Sequence, residues 1–241
     1  MSAKDTHGRA EGELGHAGEF WQFRDWFSVP PGGAQDDPAP LCHVREQRRI
    51  AAANAALLTA DDGGRGWHAR VDAFEWTLAS LPEEQRLAVR DRFVIRFDAH
   101  SFANGRKDFS GFHFPCAVHF DGVDFGDGEV SFVGARFVGP SCFSGAGFGT
   151  GEVSFAGARF DGAESRFDAT RFGDGLVNFS DTVFAGSEVS FRQARFGAGD
   201  AWFDRASFAG ADVHFEATQF GDGDVSFDDV DFGTGRVLFV R

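Results

Sequence analysis

The sequence predicts an all-β solenoid, a rod of stacked four-sided coils, with a small α-helical region at its N-terminal end. Two observations carry that reading. From about Val94 to Arg241 Phe recurs with a spacing that alternates between five and seven residues, most cleanly from Phe155 through Phe160, Phe167, Phe172 and Phe179 to Phe239. Two residues before each Phe stands a small or β-branched residue, as at Val153, Ala158, Ser165, Thr170, Val177 and Thr182. A fixed period marks stacked units, none of which can bury its own apolar face. Two spacings of five and two of seven make a coil of 24 residues. Each side of the coil then sends one Phe and one smaller residue inward, two positions apart, which is the alternation of a strand. Four Phe columns follow, begun by Phe97, Phe102, Phe109 and Phe114. The first coils step by 23 residues, because Phe137 to Phe143 is six.

This pattern resembles the pentapeptide-repeat family, whose unit has a large apolar central residue with a small residue two before it. The resemblance covers roughly Val94 to Arg241 and implies a right-handed quadrilateral β-helix. The chain departs from the commonest form by using Phe where Leu often sits and by inserting two residues at every second corner, as in Gly173-Asp174-Gly175-Leu176. Those Gly-rich corners suit turns that need φ > 0. Seven rungs about 4.8 Å apart give a rod roughly 30 Å long.

Ahead of the rod, residues 1–40 hold a polar, Gly-rich tail expected to be disordered, an aromatic segment from Phe20 to Phe27, and a Pro/Gly linker that neither helix nor central strand tolerates. Packing of the aromatic segment onto the rod or the helices is its expected role. Residues 41–93 read as helical. A first helix runs from about Val44 to Thr59 with Ile50, Ala53, Leu57 and Leu58 on its apolar face, and Asp61-Asp62-Gly63-Gly64 ends it. A second spans about Trp67 to Ala79 and presents Val71, Phe74 and Leu78. A third starts from Ser80, which has capping-box spacing to Glu83, with Pro82 in the first turn. These helices are expected to cover the first coil, whose edge and rings would otherwise be open to other chains.

Charge and cysteine content narrow the function. The chain carries a net charge of -14, and -10 of it falls in the rod. That balance argues against a direct grip on nucleic acid, which needs a basic footprint. Three Cys without a paired framework, no secretory signal and no long apolar run point to a soluble cytoplasmic protein.

Candidate sites are few. His113, Cys116 and His119 lie three apart, and the columns place Cys142 one rung beyond His119. Imidazole and thiolate suit zinc, but the spacing is no zinc signature and the residues fall on two sides of the coil. They are read as surface residues, with no metal and no cofactor assigned. Acidic corners such as Gly221-Asp222-Gly223-Asp224 resemble the calcium-binding turns of toxin-type β-rolls, but Thr150, Leu176 and Ala198 break the ladder. No nucleophile-base-orienter set is present and a Phe-filled interior has no room for a substrate, so the chain is not expected to be an enzyme.

The function expected is that of a protein-protein interaction rod, docking through flat sides of Ser, Gly and Ala with an exposed Trp202. The alternative comes from the resemblance: some pentapeptide-repeat proteins imitate duplex DNA in the binding saddle of DNA gyrase. Asp222, Asp224, Asp228 and Asp229 at the acid-rich end would carry that role. The sequence also stops within a repeat, at Leu238 and Phe239, so a homodimer through the C-terminal coil is expected.

Overall fold

The computed structural model describes residues 41–240, with side chains from residue 47 onward. The expected tail, aromatic segment and linker lie outside the described residues. Three helices, α1 (Leu41–Leu58), α2 (Arg65–Ala79) and α3 (Glu83–Arg90), precede a parallel β-solenoid. Three of its sides are parallel sheets and the fourth is a ladder of single bridges. The first side has seven strands, from Val94–Arg96 to Val237–Leu238, so six turns separate its ends. The second has six, from Lys107–Asp108 to Val225–Ser226. The third has four, from His113–Phe114 to Val183–Phe184, continued by bridges to Ser207 and Asp231. Bridges from Ser101 through Asp124, Gly147, Arg171 and Arg195 to Gln219 make the fourth.

The register is the one the Phe spacing predicts. Lys107 pairs with Val130, 23 residues on, whereas Val153 pairs with Val177, 24 residues on. Beyond the tilted pair of Phe109 and Phe132, at 41°, rings of one column stack close to parallel, from 4.5 Å between Phe97 and Phe120 to 5.6 Å between Phe148 and Phe172. Rings of opposite columns meet edge to face across the coil, as Phe155 and Phe167 do at 82°. A flat ring suits this lattice because its stacking distance matches the rung spacing of a parallel sheet. The small inward residues are buried as well. Where one is Thr, its hydroxyl donates to a carbonyl of the preceding coil, as Thr170 does to Phe143 and Thr182 to Phe155, each at 2.8 Å. That bond removes the cost of an unpaired hydroxyl in an apolar interior.

The corners differ in part from expectation. Gly173 in a long corner has φ +74, but the glycine two residues on, Gly175, is not left-handed. It is needed for space, since a Cβ there would collide with the Gly151 carbonyl of the coil before. In the first coils the long corners do carry positive φ, at Gly105, Gly126 and Gly128, and positive φ recurs at the short corners. Gly157 supplies it at φ 64, while Ala99, Ala169, Asp181, Gln193, Arg205, Ala217 and Asp229 adopt it without being glycine.

The helices cover the first coil as expected. Trp67 of α2 is fully buried, lies 5.4 Å from the ring of Phe114 and 6.5 Å from that of Phe97, and donates its Nε1–H to the His113 carbonyl at 3.0 Å. Val71, Phe74 and Leu78 are buried beside it. Two local expectations are corrected. In α1 the buried stripe is Ala51, Asn54, Ala55 and Leu58, an i, i+3, i+4, i+7 pattern, and Ala53 is exposed. Asn54 belongs to that stripe because its Nδ2 donates to the Arg96 carbonyl at 3.2 Å. Ser80 does not cap α3: it keeps helical backbone at the end of α2, donates its hydroxyl to the Thr77 carbonyl at 2.6 Å, and leaves Pro82 at the N-cap.

Candidate functional site: outer surfaces and a mixed-donor cluster

With rings filling the core, the chemistry of the rod lies outside it. A cleft of about 890 Å³ separates α3 from the third side, lined by Glu75, Leu87, Arg90, His113, Arg136 and Pro140 among others. Several of its charges are paired. Arg90 donates to Glu75 Oε2 at 2.8 Å and to the Pro115 carbonyl at 2.7 Å, while Asp161 accepts from Arg136 at 2.9 Å and lies 2.5 Å from Arg159. Burial lowers the pKa of His113, which sits 3.9 Å from Glu75. Leu87 at the rim is 71% exposed, so α3 buries none of its own side chains completely.

The residues singled out for docking fall as follows. Asp222, Asp224, Asp228 and Asp229 are all exposed in the last coil, and among the described residues none of them is held in an ion pair. Arg205 and Arg236 turn instead to Asp181 and Asp212, at 2.8 and 2.6 Å. Trp202 is half-buried rather than open, because it stands inside the second side between Asn178 and Ser226. Leu238 is half-buried and Phe239 is 59% exposed.

The four candidate metal ligands are separated. Cys116 is not a surface residue: it is fully buried, and burial pushes its thiol pKa up. His113 faces the cleft on the third side. His119 and Cys142 are register partners on the first side, as the columns placed them. Around them the structure brings two carboxylates that had not been singled out. His119 Nδ1 lies 3.0 Å from Asp121 Oδ2, and the Cys142 thiol donates to Asp121 Oδ1 at 2.7 Å. The ligand atoms of Asp98, His119 and Asp121 all lie within 4.8 Å of one another.

The electrostatics of this cluster are uneven. Burial raises the pKa of Asp98 against the pull of Arg96, which contacts it at 2.9 Å. Burial also works to raise Asp121, but the donors His119 and Cys142 and the nearby charges outweigh it and hold that carboxyl below the usual range. Burial and the Asp121 acceptor push the Cys142 thiol up to about 11. Asp98 and Asp121 were legible in principle. Each follows the Phe of its coil by one residue, so the same register that stacks His119 on Cys142 puts them alongside.

Comparison of the chain with protein-family models, with curated proteins and with solved structures returns no match. Among the described residues no helix is long and apolar enough to cross a membrane.

Proposed function

We propose that the chain is a non-enzymatic, cytoplasmic pentapeptide-repeat protein that works as a protein-protein interaction rod. The observation that carries this reading is the filled interior: from Phe109 to Phe215 the inward positions hold stacked rings and small residues at almost no exposure. A partner can meet such a rod only from outside, along its sides, its corners or its last described coil. A protein partner suits those surfaces better than a small molecule, which needs a concave site that encloses most of it.

A second reading, an acidic mimic of duplex DNA that binds and modulates or protects DNA gyrase or another topoisomerase, is favoured by the four unpaired carboxylates at Asp222, Asp224, Asp228 and Asp229. The charge is thinner than that of DNA. Duplex DNA carries one charge per about 1.7 Å, against -10 over a rod of roughly 30 Å. In either reading a second copy docks on the C-terminal coil through Leu238 and Phe239.

A gyrase supercoiling assay separates the readings. Mimicry requires the chain to inhibit or protect supercoiling, and the combined Asp222→Asn, Asp224→Asn, Asp228→Asn and Asp229→Asn variant to lose that effect with its fold intact. The interaction rod requires a partner whose cross-links map to the sides of the coil and whose binding survives high salt. A chain without effect on gyrase removes mimicry, and a chain cross-linked to nothing along its sides removes the rod.

A further inference from the structure

The solenoid repeats one arrangement twice on its first side, and the two copies differ where charge is concerned. His119 and His214 occupy equivalent points four turns apart, linked through the register partners Cys142, Arg166 and Ser190. In the later copy Arg192, from the coil before, supplies a cation: its Nη2 lies 2.7 Å from His214 Nδ1 and its Nε 3.4 Å from Glu216, which is itself 3.0 Å from His214. The next coil contributes Leu238. In the earlier copy the place of Arg192 is taken by Asp98, that of Glu216 by Asp121, and that of Leu238 by Cys142. The guanidinium has become a carboxylate and the apolar neighbour a thiol. His119 therefore faces two carboxylates and a sulfur where its counterpart faces a cation. Arg96 is the register partner of His119 in the coil before, where His214 has Ser190, and its guanidinium is engaged by Asp98 Oδ2 at 2.9 Å.

We propose that Asp98, His119, Asp121 and Cys142 bind one divalent first-row transition-metal ion of the zinc class, which stands where the Arg192 guanidinium stands beside His214. The donor set selects the ion. An imidazole nitrogen, a thiolate and carboxylate oxygens suit Zn²⁺ or Co²⁺, whereas Ca²⁺ and Mg²⁺ require oxygen alone. Bonds of about 2.0 to 2.3 Å in a tetrahedron put ligand atoms about 3.3 to 3.7 Å apart. The two contacts at Asp121, 3.0 and 2.7 Å, are shorter than that and open on binding, while the Cys142 thiol, which stands outside the group of Asp98, His119 and Asp121 whose ligand atoms lie within 4.8 Å of one another, swings inward to complete the set. They have the room, since Asp98, His119 and Asp121 are each about a third exposed. On binding, the Cys142 thiol gives its proton to solvent. The charges of the thiolate, the two carboxylates, Arg96 and the ion then balance.

The test is a Co²⁺ titration of the full chain under a phosphine reductant, followed by absorption. One equivalent should bring up a near-ultraviolet thiolate-to-cobalt band that Zn²⁺ then removes. Cys142→Ser restores the residue type of the register equivalent Ser190, so it should fold normally by circular dichroism yet lose the band and bind Co²⁺ at least tenfold more weakly. Asp98→Arg, which reinstalls the guanidinium of the later copy, should abolish binding, and His214→Ala should leave it unchanged. No thiolate band at one equivalent overturns the proposal. So does a band that survives Cys142→Ser, because the sulfur would then belong to another cysteine.

Discussion

The first and last described coils are built from the same repeat and differ in how completely their rings are covered. At the N-terminal end Phe97, Phe109 and Phe114 are buried as completely as the rings of the middle coils, because α2 lays Trp67 across the first coil and Phe74 packs beside it on Phe93. At the other end Phe220, Phe227 and Phe232 are half-buried and Phe239 is 59% exposed, although each stacks on its column as the earlier rings do. Strand geometry therefore does not bury a Phe in this fold. A neighbour on each side does, and α2 provides it at one end with a tryptophan in place of a coil.

The largest expected effect tests that statement directly. Phe179 stacks on Phe155 at 4.9 Å and on Phe203 at 5.2 Å, and meets Phe167 and Phe191 edge-on. Phe179→Ala should cost about 3 to 5 kcal/mol, the range for emptying a rigid aromatic site. Trp67→Ala should cost a similar amount if α2 truly substitutes for a coil, with the added loss of the bond to the His113 carbonyl. Phe239→Ala, with a partner on one face only, should cost under about 1.5 kcal/mol, the lower bound for burying a whole side chain. Asn178→Ala, next to Phe179 but outward, should lose only its acceptance of the Ser180 amide, about 1 kcal/mol. Denaturation midpoints decide. Equal shifts for Phe179→Ala and Asn178→Ala would contradict the register, and a small shift for Trp67→Ala would contradict the cap.

That contrast also marks what could be read from the sequence. The columns were legible because the period is enforced by packing: a slip of one residue would turn every Phe outward. The helices were legible as elements, and α2 through its face Val71, Phe74 and Leu78. The apolar stripe of α1 was misread at Ala53 because the stripe includes Asn54, whose amide satisfies a carbonyl 42 residues away, and no local pattern announces such a partner. Ser80 was misread for a related reason, since capping-box spacing is met by a serine that serves the preceding helix instead. Of the mixed-donor cluster, His119 and Cys142 were legible in register. Asp98 and Asp121 were passed over because acidic residues abound on this surface, and only their placement in the coil distinguishes them.

A middle-sized effect concerns the last described coil as a surface. Phe239 and Val240 are both 59% exposed beside the half-buried Leu238 and Phe232, and exposed apolar side chains grouped in this way suit a protein partner. A homodimer through this coil should give twice the monomer mass in light scattering at tens of micromolar. Combined Leu238→Asp and Phe239→Asp should return it to monomer with little change in melting of the middle coils. A monomeric mass that the double variant does not alter rules the dimer out and leaves the two ends different in exposure alone.

The smallest effect is electrostatic and belongs to the same end. Arg236 in the last coil reaches back to Asp212 with its backbone amide at 3.0 Å and its guanidinium at 2.6 Å. The guanidinium bond comes first and the amide second in holding the Asp212 carboxyl down from 3.8 to about 2, with His214 adding a smaller pull and Glu188 stacked on it in the coil before. A carboxylate held low stabilises the folded coil in full above its ordinary value and loses that contribution as pH falls through its folded one. The window is therefore from about pH 4 down to about pH 2, with the last coil loosening toward the acid side. Because Asp212 is open to solvent, the effect should stay local rather than move the global transition. Hydrogen exchange can follow it: the protection factor of the Arg236 amide should fall across that window while the amides of Phe97 and Phe120 hold theirs. Asp212→Asn should remove the pH dependence by lowering protection already at neutral pH. Protection at Arg236 that stays level down to pH 2 would mean that the ion pair does not hold the last coil, leaving the stacked Phe215 and Phe239 rings to do so unaided.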